Sequence, residues 1–183
     1  MKQQIGIMAF GIAVILSLAI AVSAADPAAA TADAAAPQTV KATFLVTGLH
    51  CPPCTSTVEK SLKSIPGVRS AKVDWATKNA KVEFDEQQIT AQQLSTRISQ
   101  TRHMMGGTMQ YGGWLALKVP DIAADGNGDK VKEALAKVKG VDKVSIYPTQ
   151  KSVGVSFTAD GKVTSTQLID AVKTTGLEAS VFP

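Results

Sequence analysis

The sequence predicts an α+β protein of two tandem domains, each of order β-α-β-β-α-β. Three observations carry that expectation: an apolar pattern repeated at one offset, strand-like alternation interleaved with helical periodicity, and glycine turns at matching places. Shifted by 73 residues, Ala42, Phe44 and Val46 fall on Leu115, Leu117 and Val119. Val58, Leu62 and Ile65 fall on Val131, Leu135 and Val138, and Ala80, Val82 and Phe84 on Val153, Val155 and Phe157. Beyond one extra residue near Gly161 the offset becomes 74, and Ile89, Leu94 and Ile98 meet Val163, Leu168 and Val172. A register kept through so many segments marks a tandem duplication.

The elements follow in chain order. Lys2 and the apolar run Ile5 to Val22 read as a signal peptide over residues 1–24, with Val22 and Ala24 as the small residues of a cleavage site. The run is also long enough to remain as an uncleaved membrane anchor. Residues 25–39, rich in Ala and Pro and without large apolar side chains, read as a flexible tether. The expected location is therefore the periplasm or the exterior.

The first domain is expected over residues 40–111. "VKATFLVT" alternates as a strand, a loop follows, and Val58, Leu62 and Ile65 set a helix stripe at i, i+4 and i+7. "PGV" closes that helix with a glycine suited to the left-handed position. "VRSAKVDW" and "AKVEF" read as a hairpin, "TAQQLSTRISQ" as a second helix and "GTMQY" as a last short strand. The second domain, residues 112–183, repeats the order: "WLALKVP", a helix, "VDKVSIY", "SVGVSF", "TSTQLIDAVKT" and "LEASVF". With right-handed crossovers each copy becomes a four-stranded antiparallel sheet with two helices on one face, the ferredoxin-like arrangement.

Both cysteines of the chain stand in "TGLHCPPC", between the first strand and the first helix. A thiolate at a helix start is stabilised by the positive end of the helix, which favours Cys54 in particular. Two thiolates without a third fixed ligand suit a d¹⁰ soft ion of low coordination, Cu(I) or Hg(II), whereas zinc asks for four ligands. Pro52 and Pro53 stiffen the loop, which serves a preformed metal site and an easily closed disulfide equally. Metal binding, thiol-disulfide exchange and an inert clip are thus the three readings of Cys51 and Cys54. A clip between residues three apart closes too short a loop to stabilise much.

"TGLHCPPC" in this strand-loop-helix setting resembles the heavy-metal-associated domain family. That family includes copper chaperones, the N-terminal modules of copper-exporting pumps and a periplasmic mercury-binding protein. Its usual pattern is Gly-Met-x-Cys-x-x-Cys; here Gly48, Cys51 and Cys54 are kept and Leu49 takes the methionine's place. The resemblance covers about residues 40–111 with its motif and 114–182 by pattern alone. The second copy has Ala124 and Asn127 at the cysteine positions, so it is not expected to bind metal this way. The resemblance implies a carrier that takes an ion from a donor and passes it to an acceptor such as a transporter, with a metal-bridged dimer as a further expectation.

The copies differ most before their last strands, where "ISQTRHMMGGTMQY" stands against "VKTTGLEASVF". Chain ends alternate in this fold, so the added residues should lie beside the cysteines. They bring His103, Met104, Met105 and Met109, all able to bind soft or borderline ions. His103, Met104, Met105 and the neighbouring His50 are candidate auxiliary ligands. The alternatives are that the methionines fill the core and that both histidines are simply solvated.

Several functions find no support. Without Lys2 the chain has 18 basic and 15 acidic residues, scattered and with few aromatics between them, which does not favour nucleic acid. No second apolar stretch is long enough to span a membrane, so no membrane contact beyond the leader is expected. Neither histidine stands beside a serine or carboxylate at a catalytic spacing, and the chain is not expected to be an enzyme unless the cysteines exchange disulfides.

Overall fold

Alternation of buried and exposed residues makes Thr39–Thr47 the first strand, β1, with Ala42, Phe44 and Val46 turned into the core. The computed structural model describes residues 38–183. The expected signal peptide lies outside the described residues, as does the tether up to residue 37. Gln38 and Thr39, expected at the far end of the tether, belong to the fold: the Gln38 carbonyl accepts from the Glu86 amide at 3.0 Å and Thr39 opens β1. No helix among the described residues is long and apolar enough to cross a membrane.

The first repeat continues with α1 (Pro52–Lys63), β2 (Val68–Asp74), β3 (Asn79–Asp85) and α2 (Ala91–Gln100). The second supplies β4 (Gly112–Lys118), α3 (Asn127–Ala136), β5 (Val141–Tyr147), β6 (Ser152–Phe157), α4 (Ser165–Lys173) and a short β7 (Ser180–Val181). Thr90 and Thr164, one offset apart, open α2 and α4 with the same capping box, each closed by a glutamine three residues on. Gly67 and Gly140 both take positive φ after α1 and α3, as the repeated turns require.

Where two separate four-stranded sheets were expected, one antiparallel sheet forms, in the order β2-β3-β1-β4-β6-β5. Residues 107–111, expected as the last strand of the first copy, form none. Its place beside β1 is taken by β4, paired from Phe44↔Leu115 to Thr47↔Gly112. The reason lies in the two Gly106-Gly107 residues, which stand where the offset of 74 would put Ser180 and Val181 of β7. Glycines have no side chains to pack on a sheet, whereas β4 offers alternating Leu115 and Leu117. At the other end β1 and β4 part, and β7 enters between them: Leu117 pairs with Val181, and the Thr43 amide donates to the Phe182 carbonyl at 2.9 Å.

The helices and the buried strand residues share one core, in which Phe44, Leu62, Phe84, Leu94, Leu115 and Leu168 have no exposed surface. Each such side chain stabilises by about 1.5–3 kcal/mol. Polar groups also join the repeats. Gln92 of α2, fully buried, accepts from the Val163 amide at 3.0 Å and donates to the Thr158 carbonyl at 2.9 Å. The Glu86 carboxylate accepts from the Ser165 amide at 2.5 Å and hydroxyl at 2.8 Å, at the positive end of α4.

Candidate metal centre

The antiparallel course of β1 decides which pieces meet at the cysteines. Its C-terminal end carries the Gly48–Cys51 loop, and the same end of the sheet holds the β2–β3 turn and the start of β4, since Leu45 pairs with Asn79 and Thr47 with Gly112. The 103–111 segment arrives there directly before Gly112, as the alternation of ends predicts. Ala124, in the β4–α3 loop, and Asn127, the first residue of α3, lie at the opposite end of the sheet.

Cys51 is the N-cap of α1 in an extended conformation, half-buried, and Cys54 occupies the first turn with no exposed surface. Their Cα atoms are 5.4 Å apart and their sulfurs are bonded as a disulfide. Pro52 and Pro53 take the first two helical positions, where a missing N–H costs nothing. No acidic residue occupies that first turn, and no side chain caps it, so the positive helix end faces the sulfurs alone. Leu49, in the methionine's place, is 7% exposed and belongs to the core.

Two clamps hold the loop. Gly48 sits at φ +81°, and a Cβ there would collide with the Gln110 carbonyl oxygen, so glycine lets the 103–111 segment pack directly on the loop backbone. The Gly48 carbonyl lies 2.9 Å from His103 Nε2, while His103 Nδ1 accepts from the Met105 amide at 3.1 Å. With Nδ1 accepting, Nε2 carries the proton and donates, so the geometry assigns the neutral tautomer. His103 is 4% exposed, its ring 4.5 Å from that of Tyr111 and 5.7 Å from that of His50.

The second clamp comes from the hairpin turn. Asp74 accepts from the Thr77 amide at 2.7 Å and hydroxyl at 2.8 Å, and these bonds hold its carboxyl below the usual carboxylate range. The turn ends in Lys78 at φ 57°, whose ammonium sits 2.8 Å above the Trp75 ring and 3.4 Å from the Leu49 carbonyl. A cation therefore reaches the backbone two residues before Cys51, at the same end of the sheet as the start of α1.

The predicted candidates separate accordingly. Cys51 and Cys54 come together; His50 is exposed beside them; His103 spends both nitrogens on backbone groups and acts as a staple rather than an open ligand. The expectation of a solvated His103 does not hold, because the insertion folds back over it. Met104, Met105 and Met109 are 56%, 60% and 41% exposed, so none of them fills the core. Sequence reasoning missed Lys78 and Tyr111. The end-alternation argument applied to the hairpin turn would have found Lys78; Tyr111, 2% exposed, reads as a plain strand residue when its segment is taken for a strand. Among the described residues no three His, Cys, Asp or Glu side chains converge on one point. A cavity of about 350 Å³ on the other face of the sheet, lined by Leu45, Trp114 and Tyr147 among others, includes neither cysteine.

Residues 43–103, about a third of the chain, match the sequence profile of the heavy-metal-associated domain. A copper-transporting ATPase (HMA5) of Oryza sativa subsp. japonica is 27% identical over 142 residues, covering 75% of this chain and 14% of that protein. Copper-transporting ATPase 2 of Rhizobium meliloti is 45% identical over 51 residues, covering 28% of this chain and 6% of that protein. The chain thus spans a small fraction of the length of these curated relatives. Among solved structures, the water-soluble region of the P-type ATPase CopA of Bacillus subtilis is 20% identical, with a TM-score of 0.39, covering 79% of this chain and 92% of that one. Oxidized MerP of Ralstonia metallidurans CH34 is 25% identical, with a TM-score of 0.35, covering 41% of this chain and 96% of that one.

Proposed function

We propose that this chain binds a soft d¹⁰ ion, Cu(I) or Hg(II), between the Cys51 and Cys54 thiolates and passes it on by ligand exchange. The observation that carries the reading is the cysteine pair at the start of α1, one sulfur partly accessible and one buried, with two clamps fixing the loop and no acidic group in the helix's first turn. The bonded pair is the oxidised form; only the dithiol form, in which both sulfurs are free, can capture an ion. The half-buried Cys51 is the sulfur from which an incoming thiol displaces the ion, one ligand at a time. The copper-transporting relatives support Cu(I) as the ion and a transporter as donor or acceptor. A metal-bridged dimer would use the same accessible position. Reading residues 1–24 as a leader supports a site of action in the periplasm or outside the cell.

The disulfide itself favours a second reading, in which the pair exchanges electrons with other dithiols rather than holding metal. A Cu(I) competition titration against a chromogenic chelator separates the two. The pre-reduced chain is expected to take one ion that its Cys51→Ser/Cys54→Ser variant does not take at these sulfurs. No difference between the two would end the metal reading, and the reduction potential of the pair would then become the quantity to measure.

A further inference from the structure

The large apolar side chains that the described structure leaves exposed are Met104, Met105 and Met109, and all three fall within six residues at the metal end of the sheet. Chance exposure of single apolar residues is ordinary, but a set confined to one side-chain type in one loop is not. The backbone arranges them. The Gly106 amide donates to the His103 carbonyl at 3.4 Å, and the Met109 amide to the Gly106 carbonyl at 3.3 Å, so two successive turns fold residues 103–109 back on themselves. The bond from the Met105 amide to His103 fixes where the first turn begins. Gly106, at φ +118°, and Gly107 have nothing within 4 Å of the space a Cβ would occupy, so the turn between Met105 and Met109 stands clear of the rest of the fold.

From this we infer that Met104, Met105 and Met109 form a separate all-thioether site for a monovalent soft cation, Cu(I) or Ag(I), that operates whatever the state of the cysteines. Thioethers select such ions, carry no proton to lose and form no disulfide. The cysteine pair binds only when reduced; the methionine loop keeps its donors when Cys51 and Cys54 are bonded to each other. The site lies on the segment that His103 pins to the Gly48 carbonyl, so an ion held there is presented beside the dithiol rather than elsewhere on the surface.

The test uses Ag(I), which brings no redox chemistry, and the full-length Cys51→Ser/Cys54→Ser chain, so that failure of the cysteine reading and failure of this one stay distinct. Methionine methyl resonances report each thioether. The expected result is that the Met104, Met105 and Met109 signals move together and saturate at one Ag(I) per chain. The response should be lost when all three are replaced by Leu, a change that removes sulfur from exposed positions without touching the core. Absence of movement, movement of one thioether without the others, or movement that does not saturate would overturn the inference.

Discussion

Replacing Gln92 by Ala tests whether the two repeats are one folding unit. The side chain reaches from α2 of the first repeat into the second and is closed in by glycines: a Cβ at Gly140 would stand 2.9 Å, and one at Gly161 2.5 Å, from its Oε1. In the alanine variant the Val163 amide loses its acceptor; Val163 is 4% exposed, and an orphaned buried donor costs about 1–3 kcal/mol. The Thr158 carbonyl, on an exposed residue, recovers water, so that bond contributes only about 0.5–1 kcal/mol. With the void left by the amide the loss comes to about 2–4 kcal/mol. For a unit of this size that lowers Tm by roughly 6–12 °C. Urea unfolding followed by the fluorescence of Trp75 and Trp114 should give one transition, displaced as a whole. Gln92→Leu should be nearly as damaging, since it refills the space and still strands the donor. A loss below about 0.5 kcal/mol, or a second transition that stays where it was, would refute the fused-sheet argument.

Glu86→Ala removes the carboxylate from the start of α4 and leaves the Ser165 hydroxyl, on a residue 1% exposed, without its partner; a loss of about 2–3 kcal/mol is expected in the same denaturation, with Glu86→Gln recovering part of it. His103→Phe keeps the packing on Tyr111 and deletes both backbone bonds, so amide exchange at Met105 and through residues 103–111 should quicken at least tenfold while β3 stays protected. Glu59 is held below the usual carboxylate range chiefly by its bond to Lys63, and then by the Val73 amide, against the opposing effect of burial. A depressed carboxyl contributes stability that is present above the unfolded value of about 4.3 and fades as pH falls through the lower folded value. Glu59→Gln should therefore flatten the acid limb of a stability-against-pH curve and leave its neutral plateau lowered.

How much of this was legible follows from which forces are local. The four helices are written in periodicity and form where it puts them, and the capping boxes of Thr90 and Thr164 rest on equally short-range chemistry. Strand partnership is different, because β1 chooses its neighbour by comparing segments far apart in sequence. "GTMQY" reads acceptably as a strand by itself and loses only against "GGWLALK", which nothing local reveals. The same holds at the site. CxxC announces itself, whereas the staple by His103 and the approach of Lys78 depend on which turns the sheet brings to one end. Exposure of the three methionines was not readable from residue type, since methionine is as ready to fill a core as to leave it.

The pairing of β1 also sets an order of events. Its inner edge finds β4 only after residue 112 has joined, and the Thr43 amide is answered by the carbonyl of Phe182, 139 positions further along (182 − 43). Loops that long close slowly, and an unpaired strand edge invites other strands meanwhile. The strand that carries the cysteine loop is thus the first of the described strands to appear and among the last to be completed. A chain emerging from its N-terminal side presents Cys51 and Cys54 on an unfinished sheet for most of its synthesis.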